Sequence, residues 1–214
     1  MHLIDGSLPL LHNAAYGAIS AGAVALGIRQ YYKNSSGSYQ YKIVSGIFTA
    51  FVFMSTVFEF PMPFGSSEHP TGTPLVSIFM GPLVTAFLSS VVLVLELFLR
   101  EGGLTTLGAN VLSLGIAGGF AGWGVFYGLR KFKLGLFICA FLAGFIGDIC
   151  VYAVTAAQLA AGGMDSKSFM YYFLAFVPGQ VPLAVIEGLF TGFVIKFIYE
   201  RRNEFLKEFG VIGG

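Results

Sequence analysis

The sequence predicts an all-α membrane protein: a polytopic helical bundle of about seven transmembrane helices, one of them short, with the N-terminus outside and the C-terminus cytoplasmic. Three observations lead there. Hydrophobic residues make up 56% of the 214 residues and charged ones only 11%, against roughly a quarter charged in ordinary soluble domains. Mean hydropathy is +0.78, and apolar stretches of the about 20 residues needed to cross a bilayer run almost end to end. The basic residues cluster between those stretches, which orients them. The connections are too short to hold a soluble domain, so residues 1–214 are expected to form a single integral-membrane domain. A net charge of +1 gives no electrostatic case for nucleic acid.

The first apolar segment covers 10–28 and the second 42–61. Between them "RQYYKNSSGSYQYK" reads as a loop with Arg29, Lys33 and Lys42. The third stretch, 75–99, is interrupted by Gly81-Pro82. Proline lacks the backbone donor and clashes with the preceding turn, so the stretch divides into a half-helix over 74–80 and a full helix over 82–100. A half-helix cannot span alone at about 1.5 Å per residue; its ends must be buried in protein or line a cavity. The remaining segments are 109–129, 134–161 and 169–198. Arg130, Lys131 and Lys133 in "RKFK", and Arg201, Arg202 and Lys207 in the tail, mark cytoplasmic ends. The connections around His69 and Asp165 hold little positive charge and belong outside. This assignment needs an odd number of crossings, and the split at Gly81-Pro82 supplies the seventh.

A cleavable signal peptide needs a basic leading region, and Met1 to Pro9 offers only His2 and Asp5 as ionisable side chains. The mature chain is therefore expected to begin at or near Met1. Three segments converge on the outer side: Met1-His2, "PFGSSEHPTGTP" and "REGGLTTLGAN". A site is expected where they meet.

No G-x-x-x-x-G-K-[ST] loop occurs, so ATP is not bound by that route, and no nucleophile elbow, HExxH or CxxC points to an enzyme. Cys139 and Cys150 lie about three helical turns apart in one apolar segment, too far for a disulfide, and read as small buried hydrophobes.

The three histidines are His2, His12 and His69. A free α-amine at Met1 titrates low enough to yield its proton to a metal. The amine, the His2 amide nitrogen and the His2 imidazole close adjacent five- and six-membered chelate rings, nearly in a plane. A fourth nitrogen would complete the square typical of Ni(II) or Cu(II). His69 lies in "GSSEHPTGTP", a polar segment that reads either as a cavity lining or as an exposed loop with a solvated imidazole. On the first reading Ser66, Ser67 and Thr71 orient the ring through hydrogen bonds. His12 reads as a helix-start residue rather than a ligand.

Carboxylates within apolar segments are costly and need partners. Asp148 and Glu187 could bind a cation, relay protons or hold helices together with Gln158, Gln180 and Asn110. Glu96 is placed to pair with Arg100 one helical turn on. Small-xxx-small pairs at Gly115/Gly119, Gly118/Gly122 and Gly124/Gly128 allow close helix approach, within the bundle or to a partner.

Five stretches resemble one family: "MHLIDGSLP", "GSSEHPTGT" at 65–73, "GGLTTLGANVLSLGI" at 102–116, "GDICVYAVTAAQLA" at 147–160 and "GQVPLAVIEGL" at 179–189. This is the CbiM/NikM family, the substrate-capture (S) subunits of cobalt and nickel energy-coupling-factor transporters. The resemblance implies a multi-pass subunit of a prokaryotic cell membrane. It implies Co2+ or Ni2+ as transported substrate, held by the amine and imidazole of Met1-His2 and by His69, with Asp5, Ser66, Ser67, Thr71 and Asn110 as supporting groups. It also implies partners: a small membrane subunit, a transmembrane coupling subunit and ABC-type ATPase subunits. Family members often have His where Glu101 stands and Glu where Asp5 stands. Two rival readings are an S subunit for an organic vitamin, and a membrane carrier or enzyme using Asp148 and Glu187.

Overall fold

The computed structural model describes residues 2–58, 60–62, 66–99, 101–163 and 167–213; the side chains of 61, 62, 66 and 67 lie outside that description. Met1, Arg100 and Asp165 are among the residues it does not cover, so the expectations placed on them lie outside the described residues.

The chain is a helical bundle. Its elements are α1 (Leu10–Ser35), α2 (Tyr39–Val57), β1 (Phe60–Met62), β2 (Ser66–Glu68), α3 (Thr73–Met80), α4 (Pro82–Phe98), α5 (Leu107–Asn110), a π-helical segment (Val111–Ala117), α6 (Gly118–Arg130), α7 (Leu136–Gly162), α8 (Phe169–Arg201) and α9 (Asn203–Glu208). Five helical stretches are long and apolar enough to cross a membrane: α1, α2, the run Leu107–Arg130, α7 and α8. α4 is apolar but shorter.

The break inside 75–99 falls where the sequence places it. Gly81 has φ +80°, the left-handed region that glycine tolerates. Pro82 follows in the first turn of α4, where its missing N–H would have no partner anyway. All eight residues of α3 are buried, so the half-helix is enclosed by its neighbours rather than by lipid.

Two expectations are corrected, and the tail adds a helix. α1 runs through "RQYYKNS", so Arg29 and Lys33 belong to its last turns and Lys42 to the first turn of α2, not to a loop. A helix that outruns the apolar core loses no backbone bonds, and its long basic side chains reach polar surroundings. The second helix ends at Val57, and a short antiparallel hairpin, β1–β2, replaces the rest of 42–61 and the expected open loop. The tail folds back as α9: Phe205 and Phe209 pack against Phe79 at the end of α3, and Leu206 is buried.

α7 packs along α8 and α6. Glycine sets those distances: a Cβ on Gly144 would sit 2.9 Å from Gly188 Cα, and one on Gly118 2.7 Å from Val151 Cγ2. Gly115, Gly118, Gly119 and Gly122 thus serve packing inside the bundle, whereas Gly124 and Gly128 face open space.

The molecule has two unlike ends. One gathers the N-terminal segment, the β2–α3 connection and residues 101–106. The other gathers the α1–α2 turn, the 131–135 turn and the tail: Tyr41 stacks on Phe209 with centroids 6.1 Å apart, and Arg130 and Lys207 line one cavity.

Candidate metal centre

His2 and His69 meet at the first of these ends. Their rings stack with centroids 4.7 Å apart and planes inclined by 22°. Both residues are buried, at 2% and 0% exposure. Neither His2 ring nitrogen has a hydrogen-bond partner, an uncommon state for a buried polar group. His69 Nδ1 lies 3.0 Å from the Pro70 carbonyl oxygen. A carbonyl only accepts, so this contact puts the His69 proton on Nδ1 and the lone pair on Nε2. Burial pushes both imidazoles well below their ordinary range. Both are therefore neutral near pH 7, the form that coordinates metals.

The N-terminal segment is gripped through its backbone. Leu3 N–H donates to Asn110 Oδ1 at 2.8 Å, and Asn110 Nδ2 donates back to the Leu3 carbonyl at 3.1 Å. The Thr106 hydroxyl donates to the same carbonyl at 2.5 Å. Two residues on, the Asp5 carboxylate accepts from the Thr105 N–H at 2.8 Å and its hydroxyl at 2.6 Å. These bonds hold the Asp5 carboxyl below its usual pKa. Gly102 and Gly103 leave room for the crossing: a Cβ on Gly103 would sit 2.4 Å from Asp5 N, and Gly102 has φ +72° beside the His2 Cβ.

His69 is fixed from the opposite side. Its N–H donates to the Tyr152 hydroxyl of α7 at 3.4 Å. Just beyond, the Glu187 carboxylate of α8 accepts from Thr71 N–H at 2.6 Å, Thr71 Oγ1 at 2.7 Å and Gly72 N–H at 2.9 Å. Glu68, the residue before His69, is buried against Gly179.

The structure thus brings His2, His69, Asp5, Thr71 and Asn110 to one end, with changed duties. Thr71, expected to orient the His69 ring, bonds the Glu187 carboxylate instead; Asn110 and Asp5, expected as supporting groups, hold the Leu3 main chain and Thr105. The side chains of Ser66 and Ser67, and Met1, lie outside the described residues. His12 does not join: its ring lies on α1 against Gly162 and Tyr16. Glu101 donates its backbone N–H to the Glu96 carbonyl at 3.1 Å. Asp148 accepts from Gln180, linking α7 to α8.

Sequence reasoning missed three residues: Tyr152, Glu68 and Glu96. Arg100, the expected partner of Glu96, lies outside the described residues, and Glu96 Oε2 lies 2.9 Å from His2 Nε2. The contact falls outside hydrogen-bond geometry, leaving both atoms without a bond. The other oxygen, Oε1, accepts from the Thr56 hydroxyl of α2. The available signal was a lone carboxylate in an apolar helix, which demands a partner but does not name one.

Among the described residues no three His, Cys, Asp or Glu side chains are grouped to hold a metal.

Comparisons with known proteins address the chain as a whole. The family model described as "CbiM: Cobalt uptake substrate-specific transmembrane region" matches residues 2–205. A cobalt transport protein CbiM of Geobacter sulfurreducens is 40% identical over 99% of this chain, which spans 63% of that relative's length. A putative cobalt transport protein CbiM of Methanosphaerula palustris is 39% identical, covering 99% of this chain and 94% of the relative. The crystal structure of a truncated transition metal transporter superposes with a TM-score of 0.82 at 22% identity, covering 94% of this chain and 99% of the other. At that identity the superposition speaks for the fold.

Proposed function

Because this chain belongs to the CbiM family, we propose that it is the substrate-binding membrane subunit of an energy-coupling-factor transporter importing divalent cobalt, with nickel as the alternative cargo. The observation that supports this most directly is the buried, neutral His2–His69 pair with both His2 ring nitrogens unpartnered.

In this reading a cation reaching the site sheds its water for nitrogen donors. His2 supplies its amide nitrogen and imidazole, His69 its Nε2, and Met1 its α-amine. Nitrogen donors bind nickel more tightly than cobalt, whereas the family description and the relatives' names speak of cobalt. Residues 1–214 act as one transport domain in a prokaryotic cell membrane, and ATP is hydrolysed by separate ATPase subunits. The coupling subunit and a small membrane partner complete the assembly. Seven crossings fit the two unlike ends: α1, α2, the hairpin with α3, α4, the run α5 to α6, α7 and α8. The ligand end then faces outward and the basic end inward.

The test is equilibrium dialysis of the purified chain in detergent against Co(II), Ni(II), biotin and riboflavin. Metal retention at about one ion per chain is expected, with none of the vitamins held. His2→Ala, His69→Ala and a variant with one residue added before Met1 should each lose at least tenfold in affinity. Vitamin retention, or metal binding untouched by all three variants, overturns the proposal.

A further inference from the structure

The following rests on the proposed metal site and deepens it. Glu96 has no role in the chelate, yet the bundle spends a buried carboxylate on it: it is 0% exposed, and no Lys or Arg is paired with it among the described residues. Its two oxygens are used unequally. Oε1 is occupied by the Thr56 hydroxyl, and Oε2 points to the His2 ring with no hydrogen bond of its own.

The chelate geometry says what that oxygen is for. The six-membered ring that joins the His2 amide to its imidazole runs amide N, Cα, Cβ, Cγ, Nδ1 and metal. Only Nδ1 closes it; Nε2 would close a larger, strained ring. Once Nδ1 is committed to the ion, the neutral ring's one proton must sit on Nε2. The acceptor nearest that proton is Glu96 Oε2, 2.9 Å away. Neither atom has a hydrogen bond of its own.

We propose that Glu96 is the positioning residue of the metal site: it accepts the His2 Nε2 proton, selects the tautomer that offers Nδ1 to the ion, and supplies the buried negative charge that a divalent cation needs. The arrangement is a carboxylate–histidine–metal relay, in which the carboxylate fixes ring orientation and raises the basicity of the ligating nitrogen. Thr56 locks the carboxylate by its other oxygen, so one oxygen is always left for His2. The charge matters because the His2 amide nitrogen, which binds an ion only after releasing its proton to solvent, offsets one of the two positive charges and leaves the other uncompensated in a buried site.

Glu96→Gln tests this, since it keeps the shape and can still accept from Thr56 but removes the charge. With the full chain in detergent, Ni(II) and Co(II) affinities should fall about 10- to 100-fold. The visible absorption of bound Co(II) should also shift, which a merely structural role would not produce. Glu96→Asp should restore part of the affinity. An affinity and spectrum equal to wild type in Glu96→Gln overturn the inference. If that variant does not fold, nitrogen-15 NMR of His2 in the Ni(II)-loaded wild type decides. A protonated Nε2 supports the relay, and a metal-bound Nε2 overturns it. Failure of the wild type itself to bind either ion rejects instead the proposed function, and the relay with it.

Discussion

At the scale of single residues, the site is built by gripping backbone. Asn110 uses both ends of its amide on one residue, Leu3, whose side chain is fully buried. That pins the chain one residue after His2 and sets where the imidazole points. Asn110→Ala leaves a buried Leu3 N–H without a partner, at about 1–3 kcal/mol, while Thr106 still holds the carbonyl. Metal affinity should fall about tenfold by calorimetry, with helix content by circular dichroism unchanged. Gly103→Ala should do worse, because its Cβ would collide with Asp5 N and the N-terminal segment would have to lift. That the motif "GGLTTLGAN", His2 and His69 would come together at one end was legible. What each motif residue does was not. An amide that bonds a side chain and one that bonds main chain look identical in sequence, and the nitrogen partner of Glu96 lies far away in the chain.

At the scale of elements, the informative feature is the descent of the chain after β2. Residues 69–72 run unwound between helices, and α3 completes the path. Unwound backbone inside a bundle must find partners, and Glu187 supplies them for Thr71 and Gly72. The carboxylate read from sequence as a choice between cation site, proton relay and helix glue is thus an anchor for the ligand-bearing segment. Glu187→Gln replaces one acceptor oxygen by a donor group facing N–H donors. We expect His69 to lose its fixed position, metal affinity to fall about 10-fold or more, and the thermal midpoint in detergent to drop. Equal affinity in wild type and variant would show that the segment holds itself. The break at Gly81-Pro82 was readable because two residues with strong backbone rules sit together. The hairpin and the π-helical segment were not. The hairpin is three residues a side with no clear alternation. The π turn shows only in the backbone, where the Leu114 carbonyl accepts from Thr73 Oγ1 at 3.0 Å.

At the scale of the whole molecule, the two ends differ in chemistry. The ligand end is closed by the N-terminal segment and the 101–106 turn. The opposite end is basic and sealed by α9, with the Tyr127 hydroxyl donating to the Ile78 carbonyl at 2.9 Å. The sequence located this basic end by charge alone and gave no helix for the tail, because one turn of helix with two aromatic anchors leaves little periodic trace. If the basic end faces the cytoplasm, cysteines placed at the two ends must react from opposite sides. With Cys139 and Cys150 replaced by Ala, Leu104→Cys lies in the exposed turn beside the ligands, and Ser36→Cys in the exposed α1–α2 turn. A membrane-impermeant maleimide added to intact cells should label Leu104→Cys and leave Ser36→Cys unreacted until the membrane is opened. Labelling of both from outside would mean an even number of crossings between them. The reverse pattern would turn the site inward, where a subunit that captures its ion from outside could not use it.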